Sequence, residues 1–135
     1  MRKTDLAYAA GIIDGEGSIG IYRQPTYLTW ITVRNTNEWI CQWLRFAFGG
    51  YVYTHTYKPP HLKWKDSWQW RITGSDAADF LRLILPYLRL KKPQAELAIA
   101  FQSERPGSGH HLTDDQVAVA EAQRIAMSGM NKRGK

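Results

Sequence analysis

The sequence predicts an α+β fold with the order α-β-β-α-β-β-α-α, in which one four-stranded antiparallel sheet carries helices on one face and leaves the other face bare. Two observations predict it. Residues Ser18 to Gln24 and Tyr27 to Arg34 alternate apolar and polar side chains about a turn at Pro25, and a second strand pair, Tyr51 to Tyr57 and residue 64 or 65 to Thr73, flanks the basic loop Lys58 to Lys63. Helical spacing stands before, between and after these two hairpins. A length of 135 residues with 44% hydrophobic side chains suits a single domain with a core of its own.

Each element has a local cause. Thr4 is placed to cap a helix whose first turn carries Asp5, and Gly15 and Gly17 offer a left-handed stop. In the first hairpin, Ile19 and Ile21 oppose Gly20, Tyr22 and Gln24, while Ile31 and Val33 oppose Trp30, Thr32 and Arg34. Asn35-Thr36-Asn37-Glu38 has capping-box spacing, and Ile40, Trp43, Leu44 and Ala47 trace one helical face up to Gly49-Gly50. In the second hairpin, Trp68, Trp70 and Ile72 share one face and Gln69, Arg71 and Thr73 the other. Ser75 opens a helix to about Leu85, ended by Pro86, and Pro93 sits at the first position of one running to about Glu104. Arg105 to Gly109 reads as a linker before a last helix over about 113–128, and the basic tail 129–135 is expected to be mobile.

The first helix breaks two ordinary rules. Asp14 and Glu16 lie at its C-terminus, where unpaired carbonyls and about half a negative charge repel carboxylates unless something positive sits beside them. A divalent cation taking oxygen from Glu16 and from the Gly15 carbonyl would satisfy both, and that is Mg²⁺ or Ca²⁺ chemistry. Ala7, Ala10, Gly11 and Asp14 also follow i, i+3, i+4, i+7 spacing, so a stripe of small residues marks a face where a second backbone can approach closely.

A net charge of +6 suggests a polyanionic partner. The bare sheet face would then carry Tyr22, Gln24, Trp30, Thr32, Arg34, Tyr53, His55, Gln69 and Arg71, a set able to meet base edges and phosphates. Lys91 and Lys92 stand just ahead of a helix N-terminus, where a cation is disfavoured and a phosphate welcome. The single cysteine, Cys41, excludes a disulfide framework and a cysteine-rich zinc site, and His110 with His111 lacks the further ligands a metal site needs. No apolar run approaches the ~20 residues that cross a bilayer, so a soluble, intracellular protein is expected.

Ala9-Ala10-Gly11-Ile12-Ile13-Asp14-Gly15-Glu16-Gly17 resembles the motif of the LAGLIDADG homing endonucleases. Further matches follow in that family's order at Arg34 to Asn37, Gly49 to Val52, Trp68 to Ile72 and Leu85 to Ala95, so the resemblance covers roughly residues 4–104. It implies a saddle-shaped sheet, a metal-binding acid at Glu16 and a basic active-site residue at Lys91, or at Lys92 if the register slips by one. Asn35 or Arg34 falls at the position that orients active-site water, although Asn35 also has the makings of a helix cap. Asp14 matches a residue that shapes the helix end. Mg²⁺ is the implied cofactor, with Mn²⁺ substituting and Ca²⁺ binding without supporting cleavage.

With one motif per chain, cutting both strands implies a homodimer on a near-palindromic target. Strands of about seven residues span roughly 23 Å, or about seven base pairs, so two sheets and a central gap suggest around twenty base pairs of double-stranded DNA. The other reading is a non-cleaving relative, either an intron RNA maturase or a DNA-binding regulator.

Overall fold

The computed structural model describes residues 1–23, 26–56, 65–104 and 112–133, with the side chain at 133 left out. The expected turn at Pro25, Gln24, Tyr57 and the loop up to Trp64, the linker Arg105 to Gly109, His110, His111 and the last two tail residues lie outside the described residues. The described chain runs α1 (Lys3–Glu16), β1 (Gly17–Arg23), β2 (Tyr27–Asn35), α2 (Glu38–Phe48), β3 (Tyr51–His55), β4 (Ser67–Thr73) and α3 (Gly74–Ile84). A 3₁₀ turn (Leu85–Tyr87), α4 (Lys92–Ser103) and α5 (Asp114–Arg133) complete it. Among the described residues, no helix is long and apolar enough to cross a membrane.

The four strands form one antiparallel sheet in the order β1-β2-β4-β3. Ile31 pairs with Ile19 on one side and Ile72 on the other, and Val33 with Trp70, so alternation puts all five side chains on one face. That face is the core. Trp70, Ile31 and Val33 are fully buried beneath Ile13 of α1, Leu44 of α2, Phe80, Leu81 and Ile84 of α3, and Phe101 of α4. Phe80 holds Phe48 and Trp70 edge-on, with ring centroids 4.7 and 5.3 Å away. The Trp70 indole N–H donates to the Gly49 carbonyl at 2.8 Å. This close approach requires Gly50, since it has φ +90° and a Cβ there would lie 2.5 Å from the Arg71 carbonyl oxygen.

Several helix ends differ from expectation. Lys3 already lies in α1 and Arg2 flanks it, so Thr4 is inside the helix, and neither Gly15 nor Gly17 takes positive φ. The extended Gly17 instead leads straight into β1. Asn37, not Asn35, caps α2 by accepting from the Trp39 N–H at 3.0 Å. Thr73 rather than Ser75 flanks α3, with no side-chain cap bond. In α4, Lys92 comes first and Pro93 second.

The basic tail is also not all tail. α5 continues to Arg133 because it packs along β1, an edge strand, where the Asn131 amide donates to the Ile19 carbonyl at 2.9 Å and Met127 is buried. A covered edge offers fewer free backbone groups to a foreign strand.

Candidate active site and nucleic-acid face

The C-terminus of α1 meets the start of α4 in a reciprocal knot. Asp14 accepts from the backbone N–H groups of Arg89, Leu90 and Lys91 at 2.8, 3.1 and 3.0 Å, so its charge is engaged by an incoming chain whose amides point at it. The Lys91 ammonium returns across the same gap to the carbonyls of Ile13, Asp14 and Gly17 at 2.9, 3.1 and 2.6 Å. The Lys91 ammonium thus sets a positive charge against this helix end. Burial pushes the Lys91 amine below its ordinary range, with Asp14 opposing the shift. All three ammonium donors are occupied.

Glu16 is exposed just beyond that knot, and the Asn35 amide donates to its Oε2 at 2.5 Å. Asn35 is free to do so because its other end makes an Asx turn, accepting from the Asn37 N–H at 2.8 Å, while Asn37 takes over the capping of α2. Glu16, Arg34, Asn35, Thr36, Lys65 and Ser67 together line an open polar hollow of about 370 Å³. Ser67 is 6% exposed and its Oγ is buried without a hydrogen-bond partner.

These residues fit half of a hard-cation site. Among the described residues no three His, Cys, Asp or Glu side chains converge on one point, and Lys91 already holds three carbonyls of the helix end. Glu16 and the Gly15 carbonyl would supply two oxygens, while Mg²⁺ takes six, so the other ligands would have to come from elsewhere.

The open face of the sheet carries Tyr22, Trp30, Thr32, Arg34, Tyr53, His55, Gln69 and Arg71 on matching alternate positions. They form a layer rather than a row of free side chains. Tyr22 folds back over Gly20, where a Cβ would lie 2.6 Å from its ring, and meets Trp30 with centroids 5.0 Å apart. The Arg71 guanidinium lies over the rings of Trp30 and Tyr53 at 4.3 and 5.1 Å. Arg34 donates to Gln69 at 3.2 Å. The Trp30 indole N–H and the Arg71 Nε–H are buried without partners.

The proposed stripe on α1 separates. Ala10 is 0% exposed and belongs to the core, and Asp14 is engaged with residues 89–91, so only Ala7 and Gly11 of that set lie open. Tyr8 lies exposed beside them and packs edge-on against Trp43 of α2 at 5.2 Å, with Trp39 stacked on Trp43 at 6.2 Å. The residues missed from sequence are Lys65, Ser67 and Tyr8. For Ser67 the signal was present: 67, 69 and 71 share one parity, the parity of the open face.

No family model and no curated protein matches the chain. Solved structures do. The homing endonuclease I-CvuI, in complex with the I-CreI target in the presence of Mg, superposes with a TM-score of 0.75 over 95% of this chain and 82% of that one at 18% identity. The archaeal intron-encoded homing endonuclease I-Vdi141I, complexed with DNA, gives 0.71 over 94% and 84% at 15% identity. This chain has the homing-endonuclease fold. A double mutant of I-SmaMI matches with a TM-score of 0.64 and 15% identity over 87% of this chain but only 42% of its own. Likeness to the LAGLIDADG enzymes thus extends from short motifs to the whole α+β architecture and its four-stranded sheet.

Proposed function

We propose that the protein is a divalent-metal-dependent DNA endonuclease that works as a homodimer on a pseudo-palindromic site of around twenty base pairs. The observation that carries this reading is the position of Glu16: a carboxylate oriented by Asn35, in a polar hollow beside an open cationic and aromatic sheet face, on a homing-endonuclease fold. Mg²⁺ bound there would activate water and stabilise the leaving oxygen of a phosphodiester. The chain's own task is to hold Glu16 and Gly15 still, which the Asp14–Lys91 knot does, and to seat the duplex against the open face.

Dimerisation is supported by chemistry and by surface. One Glu16 per chain gives one half-site, and the chain matches less than half the length of I-SmaMI. A Cβ added at Gly11 or Gly15 would meet nothing within 4 Å, so α1 is open to a second backbone, flanked by Tyr8 at 47% and Trp39 at 56% exposure. Exposed aromatic clusters of this kind mark contact surfaces.

The second reading, a nucleic-acid binder that does not cut, is favoured by one fact: Lys91, the basic residue the resemblance assigns to the active site, has no donor left over. Incubating the protein with a randomised duplex library and Mg²⁺ decides between them. Specific cutting by the wild type, abolished in Glu16→Gln while specific binding persists, is the expected outcome. Binding without cutting at any sequence would establish the second reading.

A further inference from the structure

We propose that Lys65, just ahead of β4, and Ser67, its first residue, form the phosphate grip of the cleavage site, in the place where the sequence resemblance would put Lys91. This rests on the endonuclease reading for its catalytic part and on the geometry alone for its binding part. Lys91 faces inward, onto the end of α1, and its three donors are used. Lys65 is exposed and lines the same hollow as Glu16 and Asn35. Two positions along the chain, Ser67 adds a hydroxyl that is more than nine-tenths buried and unpartnered. A buried hydroxyl with no acceptor costs stability unless a ligand completes it. An ammonium and a hydroxyl lining one polar wall suit a phosphate oxygen, the first by charge and the second as a short donor.

During hydrolysis a water oxygen forms a bond to phosphorus and the bond from phosphorus to the leaving sugar oxygen breaks. One water proton ends on that leaving oxygen. Negative charge grows on the non-bridging oxygens in between, and a cation already in contact with them stabilises it without rearrangement. Arg34 shares the hollow but donates to Gln69, which ties it to the sheet face rather than to the reacting phosphate.

The test compares wild type, Lys65→Ala, Lys65→Arg and Ser67→Ala in two measurements. Duplex affinity without divalent metal is followed against salt concentration, and single-turnover cutting is followed with Mg²⁺. Loss of one phosphate contact lowers the slope of log K against log[salt] by about 0.9 per subunit, which is the result expected for Lys65→Ala and not for Ser67→Ala. Cutting should slow by about 10²-fold in Lys65→Ala, less in Ser67→Ala, and recover most of the rate in Lys65→Arg. An unchanged slope in Lys65→Ala overturns the proposal, whether or not the wild type cuts. A wild type that binds and never cuts, with the slope still reduced, overturns the endonuclease reading and leaves the phosphate grip standing.

Discussion

The junction of α1 with α4 and the open side of the sheet are both polar, and they are built on opposite terms. At the junction, one carboxylate and one ammonium exchange six hydrogen bonds with backbone groups, so both charges are satisfied within the subunit. On the open side and in the hollow beside it, the Trp30 N–H, the Arg71 Nε–H and the Ser67 hydroxyl are buried with no partner. Buried polar groups are normally paired, and those left unpaired cost free energy that only a ligand or water can return. Satisfaction therefore separates the two regions: Asp14 and Lys91 are closed on each other's backbone, while Ser67, Trp30 and Arg71 each keep an unpaired group at the open side, as Thr29 and Gln102 do elsewhere among the described residues.

Removing the junction carries the largest expected cost. Lys91→Met leaves three carbonyls at the end of α1 without their cation, and Asp14→Ala leaves three N–H groups without an acceptor. Each should destabilise by about 1–3 kcal/mol, read from chemical denaturation. The two losses should fall short of additive in the double variant, because each residue orders the other's partners. Glu16→Gln should leave the denaturation midpoint nearly unchanged. A Lys91→Met protein as stable as wild type would return Lys91 to the list of free active-site cations.

Gly50 sharpens the same division from within the core. Gly50→Ala should cost about 1–3 kcal/mol, since its Cβ would press on the Arg71 carbonyl at a positive φ, and thermal unfolding would show it. A smaller loss, on the order of 0.5–1 kcal/mol, is expected for Arg71→Ala, which removes a cation lying flat on two rings. Its larger effect should fall on nucleic-acid binding. In the structure the guanidinium is stacked rather than extended, so reading a guanine would require it to leave Trp30. Selection on a randomised site should show relaxed preference at one or two symmetric positions, whereas a uniform loss across all sequences would mean a phosphate contact.

What the sequence discloses and conceals follows the same physical line. Strand faces were legible, because period-two alternation is a local property, and Trp70 and Ile72 are buried where alternation puts them. The order of elements was legible for a similar reason. The starts of the first three helices were not. Ser75 and Asn35 are good caps by composition, but β4 runs straight into α3 and the Asn35 amide is drawn to Glu16, while α1 already begins ahead of Thr4. Asp14 and Glu16 mark a helix end in need of positive charge, and the ammonium set against it lies 77 residues away from Asp14, beyond any spacing rule. Ala10 shares a stripe with Gly11 yet is buried within the subunit, since alanine fits a tight core contact and an interface equally well.

The smallest effect concerns α5, which a half-buried polar cluster ties to the first residue of β2 and which so belongs to neither extreme. Glu121 accepts from the Tyr27 hydroxyl at 2.7 Å and pairs with Arg124 at 2.5 Å. Hydrogen bonds from Arg124, and then from Tyr27, pull its carboxyl down to about 2. A carboxyl whose folded value is depressed contributes stability above its unfolded value of 4.5 and loses it as pH falls toward about 2. Between those limits the unfolded chain binds more protons, so acidification should loosen α5 from β1. The expected sign is a fall in amide protection along Ile19 to Tyr22 and in the thermal midpoint between pH 4.5 and about 2, shallower in Glu121→Gln than in wild type. Solvent screening keeps the difference small. Equal pH slopes in the two proteins would show that α5 is held by its other contacts, Ala120, Met127 and Asn131 among them, and that the cluster at Glu121 adds little.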